Sequence, residues 1–371
     1  MLLQDALQQI QSLAPESLAE SWDPVGLHVG AADWSVRRAL LTIDLTGAVI
    51  DEAKNKGCDL IISYHPPIFK GIERLTDQSW QTQRVLKAAQ ESMAVYSPHT
   101  ALDAAAGGVC DWLCDGLTAN DEGNSQRRPI AGKLTSSVNY KLVVFVPIDA
   151  EEVIRHAMSE AGAGWIGQYR GCSFSTQGIG GFQPLEGANP TIGKIGTRET
   201  VDELRMEMIV PAKYLTKVVA AVRENHPYEE PAMDVFRLEP EPVQSTVGAG
   251  RLLELSKAAP VRELANCLNN WLGLPDCRVV NGDREAKTIA VCPGAGGSLF
   301  EGVEADLYVT GEMRHHDALD YEQRGKSVLL GGHTNTERPY LPEYARRLSS
   351  ACKQVVFSVS ESDGCPWAVS G

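Results

Sequence analysis

Near the start of the chain the apolar residues Leu2, Leu3, Leu7, Ile10 and Leu13 recur every three or four positions, the spacing of an amphipathic helix. Beyond it, short apolar runs at 38–43, 59–63 and 94–97 alternate with helical periodicity at 48–56 and 83–90. Strands interleaved with helices in this way imply a largely parallel sheet. The pattern lapses at 118–137, where TANDEGNSQRRP is polar and proline-containing and predicts a linker or exposed loop. A different grammar follows. Segments 142–157 (LVVFVPIDAEEVIRHA) and 206–221 (MEMIVPAKYLTKVVAA) each read as an apolar strand, Val-Pro, a short polar step and a helix, which is most simply an internal repeat. With glycine-rich strand material at 172–182 between them and a closing strand at 233–238, these halves predict a ferredoxin-like βαββαβ domain, left through the proline-marked EPEPVQ. From residue 248 the α/β pattern resumes, with helices at 261–272 and 342–348 and strands at 288–292, 306–309 and 327–330. The expected fold class is therefore α/β: a split α/β/α unit with mostly parallel sheets, built from residues 1–130 and 248–371 and interrupted by a ferredoxin-like α+β domain at 138–240.

Composition narrows the function classes. The 371 residues are 43% hydrophobic and 22% charged, an ordinary folded balance that excludes a largely disordered chain. Against 48 Asp and Glu stand 34 Lys and Arg, and a formal charge of −14 repels phosphate backbones and anionic lipid. Nucleic acid is accordingly a disfavoured partner, and the one basic pair in the polar stretch, Arg127-Arg128, is too small to reverse that. The N-terminal segment lacks the basic start and unbroken apolar core of a secretory signal, and no apolar run is long enough for a membrane span. Nine cysteines, an odd number with no CxxC among them, read as small buried hydrophobes with reduced thiols. The expected setting is cytoplasmic, away from membranes.

The chemistry gathers where strands end. DLIIS runs into Tyr64-His65-Pro66-Pro67 and AVYS into Pro98-His99-Thr100, with Asp103 shortly after. DLYVT runs into Gly311-Glu312, with His315 and His316 close behind, and SVLLG into Gly332-His333 and on to Glu337. Ligands of open parallel sheets bind outside the carboxyl ends of the strands, so four polar exits can share one site. Imidazole and carboxylate without thiolate suit zinc, manganese, iron(II) or cobalt. His333 and Glu337, four apart, face the same way if the intervening chain turns helical, and a carboxylate such as Asp103 or Glu337 can bridge two ions. Two such ions polarise an electrophile and activate water, which is hydrolytic chemistry.

Each piece has a plainer explanation. Singly, His65 before two prolines simply ends a strand, His99 is a core histidine bonded to backbone, Asp103 is a helix N-cap, and His315 belongs to a partly solvated helix face. Their convergence after four strands favours the site. The Gly294-Ala295-Gly296-Gly297-Ser298 loop suits a tight strand-to-helix turn better than a phosphate cradle, because no Lys-Ser/Thr follows it. His226-Pro227-Tyr228-Glu229-Glu230-Pro231 reads first as a proline-stiffened turn and second as an additional metal or ligand site.

Five segments, WDPVGLHVG (22–30), DLIISYHPPIFKGIERLT (59–76), VYSPHTALDAAAGGVCDWL (95–113), DLYVTGEMRHHDALD (306–320) and GHTNTE (332–337), resemble in order the hallmark segments of the Nif-three-like family. Its members are called GTP cyclohydrolase 1 type 2 homologues or dinuclear-metal hexameric proteins. The resemblance covers residues 1–117 and 248–371, and the central zone is similar to the CutA-like or PII-like insertion of longer members. It implies two divalent metal ions, zinc, iron, manganese or cobalt, held by His65, Asp103, His333 and Glu337. Tyr64 stands where many members carry a first histidine, so it implies a weaker site, a water in place of that ligand, or a phenolate ligand. It also implies a toroidal homohexamer. The expected function is that of a cytosolic metal-dependent hydrolase of cyclohydrolase or amidohydrolase type with Glu312 as proton shuttle and His99 and His315 lining the pocket. Its substrate is a small molecule, and an anionic one is admissible where cations sit. The alternative is a non-catalytic metal-binding regulatory assembly that senses a ligand through the inserted domain.

Overall fold

The computed structural model describes residues 1–121, 123–133, 139–239 and 245–367, and the EPEPVQ exit lies almost wholly outside them. The chain forms two compact units, one from Met1–Lys133 with Gln244–Gly371, the other from Leu134–Val243. The first unit begins with α1 (Leu3–Leu13), β1 (Gly26–Val29), β2 (Arg38–Thr42), α2 (Gly47–Asn55), β3 (Leu60–Ser63), α3 (Trp80–Gln90) and β4 (Ala94–Ser97). It continues through α4 (His99–Ala104), α5 (Val109–Leu117), β5 (Gln126–Arg128) and β6 (Ala131–Gly132). The Leu3, Ala6, Leu7 and Ile10 stripe of α1 is buried as its spacing requires. Thr46 and Ser79 cap α2 and α3 by accepting the Val49 and Thr82 amides.

The second unit runs β7 (Asn139–Pro147), α6 (Glu151–Ala161), β8 (Ser173–Phe182), β9 (Glu199–Pro211), α7 (Leu215–Asn225) and β10 (Met233–Arg237). Its sheet is antiparallel throughout in the order β10-β7-β9-β8, the ferredoxin-like arrangement. Alternate residues Leu142, Val144 and Val146 of β7 and Met206, Met208 and Val210 of β9 pack on Ile154, Met158, Val218 and Val222 of the two helices.

The chain then re-enters the first unit through β11 (Gly248–Ala249), which pairs with β6, and Ser245 Oγ donates to the Lys133 carbonyl at 2.5 Å. There follow β12 (Arg251–Pro260), α8 (Val261–Leu272), β13 (Arg278–Val280), β14 (Glu285–Val291), β15 (Leu307–Thr310), α9 (His315–Gln323), β16 (Ser327–Leu330), α10 (Leu341–Ala351) and β17 (Val356–Val359). Two sheets result, β1-β4-β3-β2-β17 and β13-β16-β15-β14-β12-β5. Their central pairs are parallel; β1 at one edge of the first sheet and β13, β12 and β5 toward the edges of the second are antiparallel, while β17 pairs with β2 in parallel. One core joins them: Leu41, Leu60 and Ile62 from the first sheet and Ile289, Leu307 and Val309 from the second bury against α1, α4, α5, α8 and α10. Among the described residues no helix is long and apolar enough to cross a membrane.

The polar stretch after residue 117 differs from the linker its composition predicts, because β5 is an edge strand on β12. An edge strand has one neighbour and can keep all its side chains exposed, as Gln126, Arg127 and Arg128 do, so it carries no apolar period.

Arg251 ties the two segments of the first unit together. Its side chain is 1% exposed, and it donates to both carboxylate oxygens of Asp111 (2.6 and 3.2 Å) and to the Gly248, Gly250, Ala104 and Ala105 carbonyls. Asp111 also accepts the Gly107 amide at 2.7 Å. Arg251→Met leaves that carboxylate only the partly exposed Arg127 guanidinium at 3.8 Å as a counterion and is expected to cost about 3–5 kcal/mol in chemical denaturation. The Arg251→Met/Asp111→Leu double variant should recover most of the loss, since it leaves no unpaired charge.

Candidate metal centre

The strand-exit residues come from two sheets rather than one. His65 follows β3 and His99 opens α4 directly after β4, whereas Glu312 and His333 follow β15 and β16 of the second sheet. All but Glu312 line a cavity of about 610 Å³, together with Asp103, Glu337, Trp22, Phe69 and the 292–296 turn. His65, His333 and Glu337 bring one ligand atom each to within 4.8 Å of one another. Glu337, 3% exposed, turns Oε2 toward His65 Nε2 at 3.4 Å and Oε1 toward His333 Nε2 at 3.5 Å. Its Oε2 is buried with no hydrogen-bond partner among the described residues, an unsatisfied state that a bound cation relieves.

Each histidine has its own carboxylate behind it. His65 Nδ1 lies 3.0 Å from Asp44, His333 Nδ1 3.0 Å from Glu312, and His99 Nδ1 2.8 Å from Asp23. A carboxylate on Nδ1 holds the proton there and leaves the Nε2 lone pair for a metal. Asp23 also accepts the amide and hydroxyl of Thr100 and so fastens the first turn of α4, where His99 sits at φ +30°. Burial works against the charge of Asp23 and Asp44, but hydrogen bonds from His99 and Thr100 in one case and from His65 in the other hold both carboxyls below the ordinary range. Burial likewise opposes charge on His65, yet the Asp44 hydrogen bond and the neighbouring Glu337 carboxylate outweigh it and push the imidazole up to about 10.

Asp103 lies inside α4 and is not the N-cap that its position suggested. Its carboxyl is pushed up to about 7 by burial, partly offset by the Tyr64 hydrogen bond and the nearby His99. Tyr64 donates its hydroxyl to Asp103 Oδ1 at 2.5 Å. Burial and the Asp103 and Glu337 carboxylates raise the phenol well above its ordinary value, and in this structure Tyr64 is a donor that orients Asp103.

The first unit thus presents a buried carboxylate between two imidazoles at the carboxyl ends of its strands, and similarity to known proteins places that arrangement in a family. A model of the family Duf34/NIF3 (NGG1p interacting factor 3) matches residues 1–366. The chain belongs to the Duf34/NIF3 family. The Bacillus subtilis protein named GTP cyclohydrolase 1 type 2 homolog is 35% identical over 98% of this chain and 97% of its own length. NIF3-like protein 1 of Rattus norvegicus is 33% identical over 100% of this chain and 93% of its own. Among solved structures, a Bacillus cereus protein related to NIF3 superposes with a TM-score of 0.73 at 31% identity over 98% of each chain. A Staphylococcus aureus protein reaches 0.78 at 25% identity over 100% of this chain and 99% of that one.

In this Duf34/NIF3 chain the glycine loop after β14 is shaped by the site. Gly294 adopts φ +59°, and a Cβ there would lie 2.5 Å from Glu337 Oε1 and 3.2 Å from His333 Nε2. Its amide donates to Thr336 Oγ1 at 2.9 Å, so the turn packs directly onto the Glu337 segment and leaves no phosphate cradle at that amide. His333 and Glu337 are joined by a 3-10 turn, Thr334–Thr336, in place of the α-helical turn their spacing suggested. His315 is exposed at the start of α9 and is not among the residues lining this cavity, contrary to expectation. Glu312 is 59% exposed and engages His333 Nδ1 at 3.0 Å. Asp23 and Asp44 were missed. The signal for Asp44 was present, since it lies just beyond β2 as His65 lies beyond β3.

A metal must displace the proton that His65 carries below about pH 10 in the metal-free chain. Uptake near pH 8 should release about one proton per ion bound at His65, and affinity should rise roughly tenfold per pH unit up to about pH 10. Calorimetric titration in buffers of different ionisation enthalpy measures the release, and a value near zero contradicts this assignment.

Proposed function

We propose that this chain is a metal-dependent hydrolase of cyclohydrolase or amidohydrolase type, with two divalent ions, zinc, iron, manganese or cobalt, held by His65, Asp103, His333 and Glu337. The observation that carries the reading is Glu337, which offers one oxygen toward each of two histidines that are themselves backed by Asp44 and Glu312. Ions bound there supply Lewis-acid polarisation of an electrophile and activation of water. The name of the Bacillus subtilis relative, GTP cyclohydrolase 1 type 2 homolog, supports the same reaction class.

The chain's own residues do the remaining work. Tyr64 fixes one oxygen of Asp103, and Asp44 and Glu312 set the imidazole planes. His99, tied through Nδ1 to Asp23, keeps Nε2 free to take or return a proton, a task first assigned to Glu312. Trp22 and Phe69 also line the cavity, with ring centroids 6.0 Å apart, and Trp22 stands edge-on to His99 at 6.2 Å. The substrate is a small molecule, and an anionic one is admitted because bound cations reverse the local sign of a chain whose formal charge is −14. The toroidal homohexamer, a cytoplasmic setting and a CutA-like or PII-like character for the inserted unit belong to the same proposal.

Metal analysis after repletion with Mn, Fe(II), Co or Zn tests the centre directly, and less than about one ion per chain contradicts it. Asp44→Asn, which removes only the group behind His65, should lower metal affinity about 10–100-fold. With nucleotides, phosphoesters and cyclic amides as substrates, turnover should require metal. Glu337→Gln should abolish that turnover, and Asp103→Ala should do the same.

A further inference from the structure

The histidine of the HPYEEP motif is fully occupied by backbone. His226 Nε2 meets the Phe145 carbonyl at 3.0 Å and Nδ1 accepts the Tyr228 amide at 3.1 Å. Burial lowers its pKa, in keeping with a neutral ring that holds the turn in place, so the additional metal site considered for it has no imidazole to offer. What the turn does instead is present Tyr228, Glu229 and Glu230 to a cavity of about 450 Å³ inside the second unit.

The cavity is built. Loop 183–196 is closed on itself by the Gly196 amide to the Pro184 carbonyl at 2.8 Å and by Gln183 Nε2 to the Gly196 carbonyl at 3.0 Å. It is fastened to the turn by the Asn189 amide to Glu229 Oε2 at 2.9 Å and by Thr191 Oγ1 to the Pro227 carbonyl at 2.8 Å. Phe145, Phe182 and Tyr228 supply aromatic walls, the latter two with centroids 6.4 Å apart at 49°. Glu203 of β9 lies over Gly180 of β8, where a Cβ would overlap its carboxylate. The Tyr228 hydroxyl is buried beside Glu203 and makes no hydrogen bond of ordinary geometry.

The charge of this pocket is one-sided. Glu203, Glu229 and Glu230 line it, and no Lys or Arg does; Arg198 approaches Gly181 without joining the lining. Calcium is a poor occupant, because it takes six to eight converging oxygen ligands, and zinc-type ions need four converging His, Cys or carboxylate donors. Among the described residues the His/Cys/Asp/Glu group that converges in that way is His65, His333 and Glu337. Aromatic faces and carboxylates together favour a cation with a weakly hydrated, carbon-bearing surface, since ring quadrupoles attract such a charge and Pro184, Pro190 and Ile192 pack its hydrocarbon part.

We infer that the inserted unit is a binding domain for a small organic ammonium ion, its charged head between Tyr228 and the Glu203 and Glu230 carboxylates and its apolar body against Phe145 and Phe182. The inference is independent of the metal centre, whose residues all lie in the other unit.

Calorimetric titration of the full chain with tetramethylammonium and phenethylammonium tests it, with 2-phenylethanol and phenylacetate as neutral and anionic counterparts. At least one ammonium ion should bind at one site per chain, and the uncharged and anionic counterparts should bind at least about tenfold more weakly. Glu203→Gln should weaken the ammonium by about tenfold or more with unchanged metal content, and the exposed Glu230→Gln provides a second variant should the first fail to fold. Failure of both ammonium probes to bind at about 10 mM overturns the inference, as does equal binding of 2-phenylethanol or binding that survives both substitutions. None of those results bears on metal-dependent turnover.

Discussion

A guanidinium with its donors satisfied and no exposure to solvent holds the first unit together. Arg251 stands at the point where the chain returns from the second unit, and its partner Asp111 and the Ala104 and Ala105 carbonyls belong to the segment before the departure. A buried charge of this kind adds little to stability compared with a well-packed apolar substitute, but it tolerates very few arrangements. That intolerance is useful here. His65, His99 and Asp103 lie on one segment and His333 and Glu337 on the other, so their meeting requires the two segments to settle in one relative position. Asp103 is adjacent to Ala104, whose carbonyl Arg251 holds, which links the segment junction to the cavity lining through a single peptide.

The centre itself repeats one device. Three imidazoles are each held by a carboxylate at Nδ1, with His65 packed edge-on against both His99 and His333 at centroid distances of 5.4 and 5.5 Å. The Asp44 and Glu337 carboxylates favour the charged form of His65, whereas burial is the main reason that the Asp103 carboxyl is raised.

Much of this was legible in the residues. Regular strands and helices at the centres of both sheets carry complete apolar periods, and β4 and α8 match the expected bounds. The rule that strand exits share a site brought out His65, His99 and His333, although it treated as one sheet what are two. The edges were not legible, because β5, β13 and β17 are short and partly or wholly exposed and need no apolar pattern. Asp23 was hidden for a different reason. It supports His99 from 76 residues away, and nothing local distinguishes it from a turn-forming aspartate before proline. His315 misled because helix spacing places a residue on a face without saying which way that face looks.

The pairing of β17 with β2 has a consequence for biosynthesis. Residues 356–359 supply the neighbour of a strand made more than three hundred residues earlier, and four of the five residues of that strand are buried in the finished fold. On the ribosome, Arg38–Thr42 must therefore wait through translation of the entire second unit with one edge unpaired, an adhesive edge of the kind that recruits chaperones or misassociates with other nascent chains. The second unit carries its whole sheet within its own span and is free of that delay, so it can complete its folding while the enclosing unit is still being made.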